Sequence, residues 1–146
     1  MGATLISTGS PFERTMGYSR AVVKGPWCFV SGVTGYDYAT MVMPEGAAEQ
    51  TENCFRTIIW ALEQGGFELG DVVRVQYTVA ETGFADEMLP VLERHFGEIR
   101  PAATMVIAGP SPSTRRAATA DQKPAKPQPT TTTSLTGHPL FCTPRR

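Results

Sequence analysis

Hydrophobic and polar positions follow two clear rhythms along the chain. From about Ala47 to Gln64, the apolar residues Phe55, Ile58, Ile59 and Leu62 recur at the spacing of a helix with one buried stripe. Gly65-Gly66 supplies the C-terminal stop of that helix. Val73, Val75, Tyr77 and Val79 then alternate with Arg74, Gln76 and Thr78, the two-residue period of a strand with one buried face, and Thr82-Gly83 ends it. Ser19 to Lys24 and Trp27 to Ser31 are short β-rich runs split by Gly25-Pro26, which predicts a hairpin. Between Phe84 and Phe96, Met88, Leu92 and Phe96 share one helical face, although Pro90 removes a backbone donor there and predicts a kink or a late start. Ala103 to Ala108 is an apolar strand following Arg100-Pro101. The stretch from Gly32 to Glu45 has no clean period and reads as a surface loop, a place where function often resides.

The resulting order is β-β-α-β-α-β. It predicts an α+β architecture, a sheet with two helices packed on one face. The opposite face then needs a cover, which self-association would supply.

Composition changes this picture at one point. The chain has 146 residues, enough for one domain and too few for two of ordinary size. Up to Gly109 there are 7 Lys and Arg against 13 Asp and Glu, whereas from Pro110 onward there are 6 against one. That second segment also holds 7 of the 12 prolines, the Thr130 to Thr133 run and almost no large apolar residue before Leu135. It cannot bury enough apolar surface to offset its chain entropy and is expected to be disordered. The folded domain is thus expected to be residues 1–109, with a Pro/Thr/Arg-rich tail over 110–146.

Other classes are set aside by what the chain contains. No run approaches a membrane span, and the N-terminus lacks a signal-peptide pattern, so a soluble, cytoplasmic protein is expected. Cys28, Cys54 and Cys142 are odd in number and far apart, which argues against a disulfide framework. With His95 and His138 the only histidines, no metal constellation is expected.

An ordered set of short motifs runs through the folded part: Gly17-Tyr18-Ser19, Phe29-Val30-Ser31-Gly32, Thr51 and Asn53 on the first long helix, Gly65-Gly66, Asp71-Val72-Val73, and Pro101-Ala102. Their order and spacing resemble the RidA/YjgF family, the Rid proteins once labelled L-PSP endoribonucleases, over roughly residues 14 to 109. The resemblance implies a chorismate-mutase-like fold, a homotrimer with sheets inward and helices outward, and small-molecule clefts between subunits. It also implies cofactor-free hydrolysis of reactive enamines and imines to 2-keto acids and ammonia.

Residue by residue, it marks Tyr18, Ser31, Gly32 and Thr104 as substrate contacts and the backbone carbonyl of Met105 as the group that orients the attacking water. The family's carboxylate-binding Arg corresponds to Ala103, its Gln after Ser-Gly to Val33, and its usual Cys to Met105. A further family strand of the K-I-E-I-E type, carrying a Glu that helps activate water, would fall in Pro112 to Gln122, which has neither a Glu nor an alternating pattern. The final family strand is therefore expected to be replaced, through a shift of reading frame after the Gly109 codon or by a natural linker-like tail that spares the fold. Translation of the gene in the other frames tests the first origin, since one frame should then encode a Glu-containing β pattern.

Each site residue also has a structural reading. Tyr18 beside Gly17 can serve packing, and Ser31-Gly32 can serve a turn. His95 reads as a surface or packing residue, and Arg20 and Arg100 read as solvated charges that could at most replace the lost guanidinium. Three functions remain: a deaminase-like hydrolase, a non-catalytic metabolite-binding protein with the same cleft, and a ribonuclease or RNA binder. The acidic folded part ranks the last lowest, since only the tail offers basic charge through Arg115, Arg116, Lys123, Lys126, Arg145 and Arg146.

Overall fold

The computed structural model describes residues 2–108 together with the backbone of residues 134–135. The chain opens with β1 (Thr4–Ile6) and α1 (Pro11–Met16), two elements too short to leave a periodic signal. Ser10 caps α1 by accepting from the Phe12 amide, Pro11 starts it with a preset φ, and Gly17 closes it in the left-handed conformation at φ 69°. The predicted hairpin follows as β2 (Ala21–Lys24) and β3 (Trp27–Val30), joined through Gly25 at φ +59°. β2 pairs with both β1 and β3 in an antiparallel three-stranded sheet, with Ala21 opposite Val30.

The segment after Gly32 is more ordered than its sequence suggests. It holds a two-residue strand, β4 (Val33–Thr34), and an antiparallel bridge between Asp37 and Val42. The Asp37 carboxylate fixes the intervening turn by accepting from the amides of Ala39 and Thr40.

The long helix α2 spans Ala47–Gln64, as its periodicity predicts. Ala47, Gln50, Thr51, Cys54, Phe55, Ile58, Ala61 and Leu62 form its buried stripe. Its end is a double carbonyl closure in which Phe67 N–H donates to Leu62 O (2.9 Å) and Gly66 N–H to Glu63 O (3.0 Å), with Gly66 at φ +80°.

A 3-10 turn (Leu69–Asp71) leads into β5 (Arg74–Val79), then α3 (Gly83–Phe96), then β6 (Ala102–Ile107). β5 and β6 are parallel, a pairing that needs the crossover α3 provides. α3 does not start late: it runs through Pro90, which is exposed, as is Asp86 one turn earlier, so the carbonyl that loses its donor lies on the solvent side. Val75, Tyr77 and Val79 bury against the helices, while Arg74, Gln76 and Thr78 occupy the other face. Every residue of β6 is exposed.

Ser134–Leu135 forms β7, which lies between β4 and β5 in the second sheet, order β4-β7-β5-β6. It touches β5 in register only at Thr78. The expected disorder and frame-shifted origin of the tail otherwise lie outside the described residues. The fold is α+β with α2 and α3 on one side of the sheet, and α1, β1, β4 and β7 add to the predicted order.

Candidate functional site

Tyr18 and Gly32 are held by a single buried side chain, Arg20, and Ser31 is held by the backbone of Ser19 and Arg20. The Arg20 Nε donates to Glu13 Oε1 at 3.2 Å, Nη1 to the Gly32 carbonyl at 2.9 Å and Nη2 to the Tyr18 hydroxyl at 3.1 Å. The guanidinium also lies over two rings, 5.4 Å from the centroid of Tyr18 and 4.9 Å from that of Tyr38. The Tyr38 hydroxyl in turn meets Thr34 Oγ1 at 3.1 Å. Ser31 locks the same corner: its Oγ donates to Ser19 O at 2.6 Å and its amide to Arg20 O at 2.9 Å.

The reading of Arg20 as a solvated charge is corrected here. Its side chain has 0% exposure and all three nitrogens are engaged, so it is a structural cation that cannot reach out to a substrate carboxylate. The balancing charge is Glu13, which sequence reasoning missed. Its carboxylate accepts from the Ser7 hydroxyl, the Thr8 amide (3.1 Å) and the Thr8 hydroxyl (2.6 Å) as well as from Arg20. Burial pushes the Glu13 carboxyl up, but the hydrogen bonds from Ser7 and Thr8 and the Arg20 charge outweigh it and hold the group below the ordinary carboxylate value. The available signal was the Ser10-Pro11 helix start, which places Glu13 in a first turn.

Ala103, Thr104 and Met105 lie elsewhere, on β6 in the second sheet. The Thr104 hydroxyl accepts from Arg74 Nη1 at 3.1 Å on the face away from the helices. Ala102 N–H donates to Val73 O (3.0 Å) and Ala108 N–H to Val79 O (2.9 Å). Because backbone groups alternate in direction along a strand, the even positions of β6 turn toward β5, and Ala103 and Met105 turn their N–H and C=O to the outer edge. That edge has no neighbour among the described strands. One group thus sits on the connections that flank β2 and β3 and the other on β6 of the second sheet, with no hydrogen bond joining them among the described residues.

His95 has a partner that sequence proximity concealed. Its Nε2 is 2.9 Å from Glu52 Oε2 on α2, and its ring stacks on Phe55 with centroids 4.0 Å apart. Arg94 pairs with the other Glu52 oxygen. The hydrogen bond from His95 is the largest influence on the Glu52 carboxyl, which is held below its ordinary value despite partial burial. Glu52→Gln should cost about 1 kcal/mol or less, since the group is part-exposed. That contribution should be present above the ordinary carboxylate pKa and disappear as pH falls through the lowered folded value, as urea titrations of both proteins at several pH values would show.

Burial pushes the Cys28 thiol up to about 11, so it is neutral and unreactive near neutral pH. Among the described residues, no three His, Cys, Asp or Glu side chains gather as a metal site, and no helix is long and apolar enough to cross a membrane.

Helices laid on one side of a mixed sheet, with glycine-rich corners at Gly17 and Gly32, define a chorismate-mutase-like α+β protein of the YjgF/UK114 fold. The family model described as endoribonuclease L-PSP matches residues 8–114, well over half of the chain, and the chain belongs to that family, the RidA/YjgF group. It is similar to a crystal structure from Mycobacterium tuberculosis of the YjgF/YER057c/UK114 family, with 38% identity, a TM-score of 0.68, and coverage of 76% of this chain and 88% of that one. It is also similar to RidA from a Psychrobacter species, at 30% identity and TM-score 0.61, covering 65% and 77%. A RutC family protein from Pyrococcus abyssi is 33% identical over 90 residues, 61% of this chain and 71% of its own.

Proposed function

We propose that this chain is a cytoplasmic hydrolase of small reactive enamines and imines, working without a cofactor in clefts between the subunits of a homotrimer. The observation that carries this reading is the outward-facing carbonyl of Met105 on the outer edge of β6, two residues after Ala103. An edge carbonyl needs a donor, and a water held there is oriented for attack. In the reaction the water oxygen bonds to the imine carbon and its proton goes to nitrogen. The carbinolamine then collapses to a ketone as ammonia leaves. Tyr18, Ser31 and Gly32, fixed by Arg20, form a rigid corner for the opposite wall of the cleft, and Thr104 lies beside the water-orienting carbonyl. Both faces of β6 are exposed, with Met105 (39%) and Ile107 (51%) on one and Val106 (39%) on the other, which supports the self-association that such a cleft requires.

A second reading, a small-metabolite binder without efficient turnover, is favoured by Ala103. No guanidinium stands at that position to pair with a substrate carboxylate. The rate of 2-iminopropionate hydrolysis by the trimer-sized fraction, against buffer alone, separates the two. The hydrolase reading expects acceleration, and Ala103→Arg should raise kcat/KM roughly 10- to 100-fold by restoring a charge-assisted bidentate pair. A well-folded trimer without acceleration would leave the binding reading, and a protein that never forms a trimer would overturn the intersubunit cleft.

A further inference from the structure

Between the C-terminal half of α3 and the start of β6 lies a pocket of about 460 Å³ that opens broadly to solvent, with Leu89, Glu93 and Arg100 exposed at its rim. Its walls are mainly apolar, from Tyr77, Leu89, Leu92 and Phe96, and two charged residues, Glu93 and Arg100, also line it. Arg100 reaches this position because its backbone adopts φ 51°, the left-handed conformation that turns the chain from α3 into Pro101. Its amide donates to Phe96 O (2.8 Å) and its Nε to Gly97 O (3.0 Å), which fixes the root of the side chain. The terminal guanidinium nitrogens have no hydrogen-bond partner among the described residues, and neither does the Glu93 carboxylate. Glu93 and Arg100 do not form an ion pair with each other. Two opposite, solvent-exposed charges therefore flank one open apolar pocket without pairing with each other.

We propose that this pocket is a binding site for a free α-amino acid with a bulky aliphatic side chain. The carboxylate pairs with the Arg100 guanidinium, whose planar fork suits it. The ammonium pairs with Glu93, close to the negative end of α3, and the side chain lies against Leu89, Leu92 and Phe96. Burial pushes the Tyr77 phenol up to about 12, so that wall stays neutral and adds no competing charge. A ligand with only one of the two charges leaves either Glu93 or Arg100 without a partner.

The site does not depend on the hydrolase reading, and calorimetric titration of the full chain tests it directly. The probes are L-leucine, its 2-keto acid and isoamylamine, which share one side chain and differ in charge. Leucine is expected to bind at least about tenfold more tightly than either relative. Arg100→Gln should weaken leucine and the keto acid about tenfold and spare the amine. Glu93→Gln should weaken leucine and the amine and spare the keto acid. Arg100 also caps α3, so Leu89→Asn, at an exposed wall position, serves as an independent variant that should weaken all three. Leucine binding no tighter than that of its singly charged relatives, binding indifferent to both charge substitutions, or no binding at all would overturn the site. Hydrolysis of 2-iminopropionate by the same preparations reports separately on the proposed function.

Discussion

Glu13→Ala is expected to remove about 3–5 kcal/mol of stability, a large share of what a domain of this size has. The reason is the state it leaves behind. Arg20 is fully buried, and without Glu13 its positive charge retains only the Gly32 carbonyl, the Tyr18 hydroxyl and two aromatic faces as compensation. The half-buried Thr8 amide and hydroxyl that now converge on the carboxylate would lose their partner as well. Urea unfolding followed by circular dichroism gives the number, and a loss below about 1 kcal/mol would mean that water reaches Arg20. A double variant, Glu13→Leu with Arg20→Met, should recover most of the loss, because the cost comes from the unpaired charge more than from the pair itself. The same carboxylate gives a pH signature. Its folded pKa lies below the ordinary value of 4.5, so its stabilisation is fully present above that value and is lost as pH falls toward and through the lowered one. Glu13→Gln should lack that part of the slope.

Gly35→Ala should cost about 3 kcal/mol, at the upper end of ordinary overpacking. A β-carbon at this position would lie 2.4 Å from Gln50 Cβ and 2.9 Å from Gln50 Cα, so the clash is with the body of α2 and no flexible side-chain end can give way. The close approach has a purpose, since the Gly35 carbonyl accepts from Asn53 Nδ2 at 3.1 Å and the Val33 carbonyl from Cys54 Sγ at 3.5 Å. These contacts tie the segment after Gly32 to the helix. A thermal melt of Gly35→Ala checks the prediction, and an unchanged midpoint would show that the segment can lift away from α2. The positions of Tyr38 and Gly32 around Arg20 should shift with it, so the variant should also perturb the Tyr18 corner.

The helix from Ala47 to Gln64 was legible to the residue, because one buried stripe against the sheet is all that its pattern has to encode. β5 was legible for the same reason, and the likeness of the short motifs around Tyr18, Ser31 and Pro101 to the RidA/YjgF family identified the group to which the chain belongs. α1 and β4 were not legible, since elements of six and two residues span too little for a period to develop.

Among the site residues, Ala103 and Met105 could be located along β6, but the sequence did not show that their backbone groups turn to the strand's outer edge. That follows from the register with β5, set by which residues of two distant segments pair. Arg20 reads locally as one more charge at the start of a strand. Its burial is decided by Glu13, Gly32, Tyr18 and Tyr38, which come from a helix, two loops and the chain just before β2. His95 acquires its carboxylate only because α3 packs on α2 and brings Glu52 to it across 43 residues of chain. Arg100 lines its pocket through a left-handed backbone that no preference of arginine would predict.

The sequence by itself determined where the two long helices lie, which of their faces are buried and which family the chain resembles, because periodic burial and short motifs are properties of neighbouring residues. Only the tertiary structure decided which charges are paired and which are free, because a buried ion's partners are chosen by the packing of segments far apart in the chain, and solvation depends on everything around it.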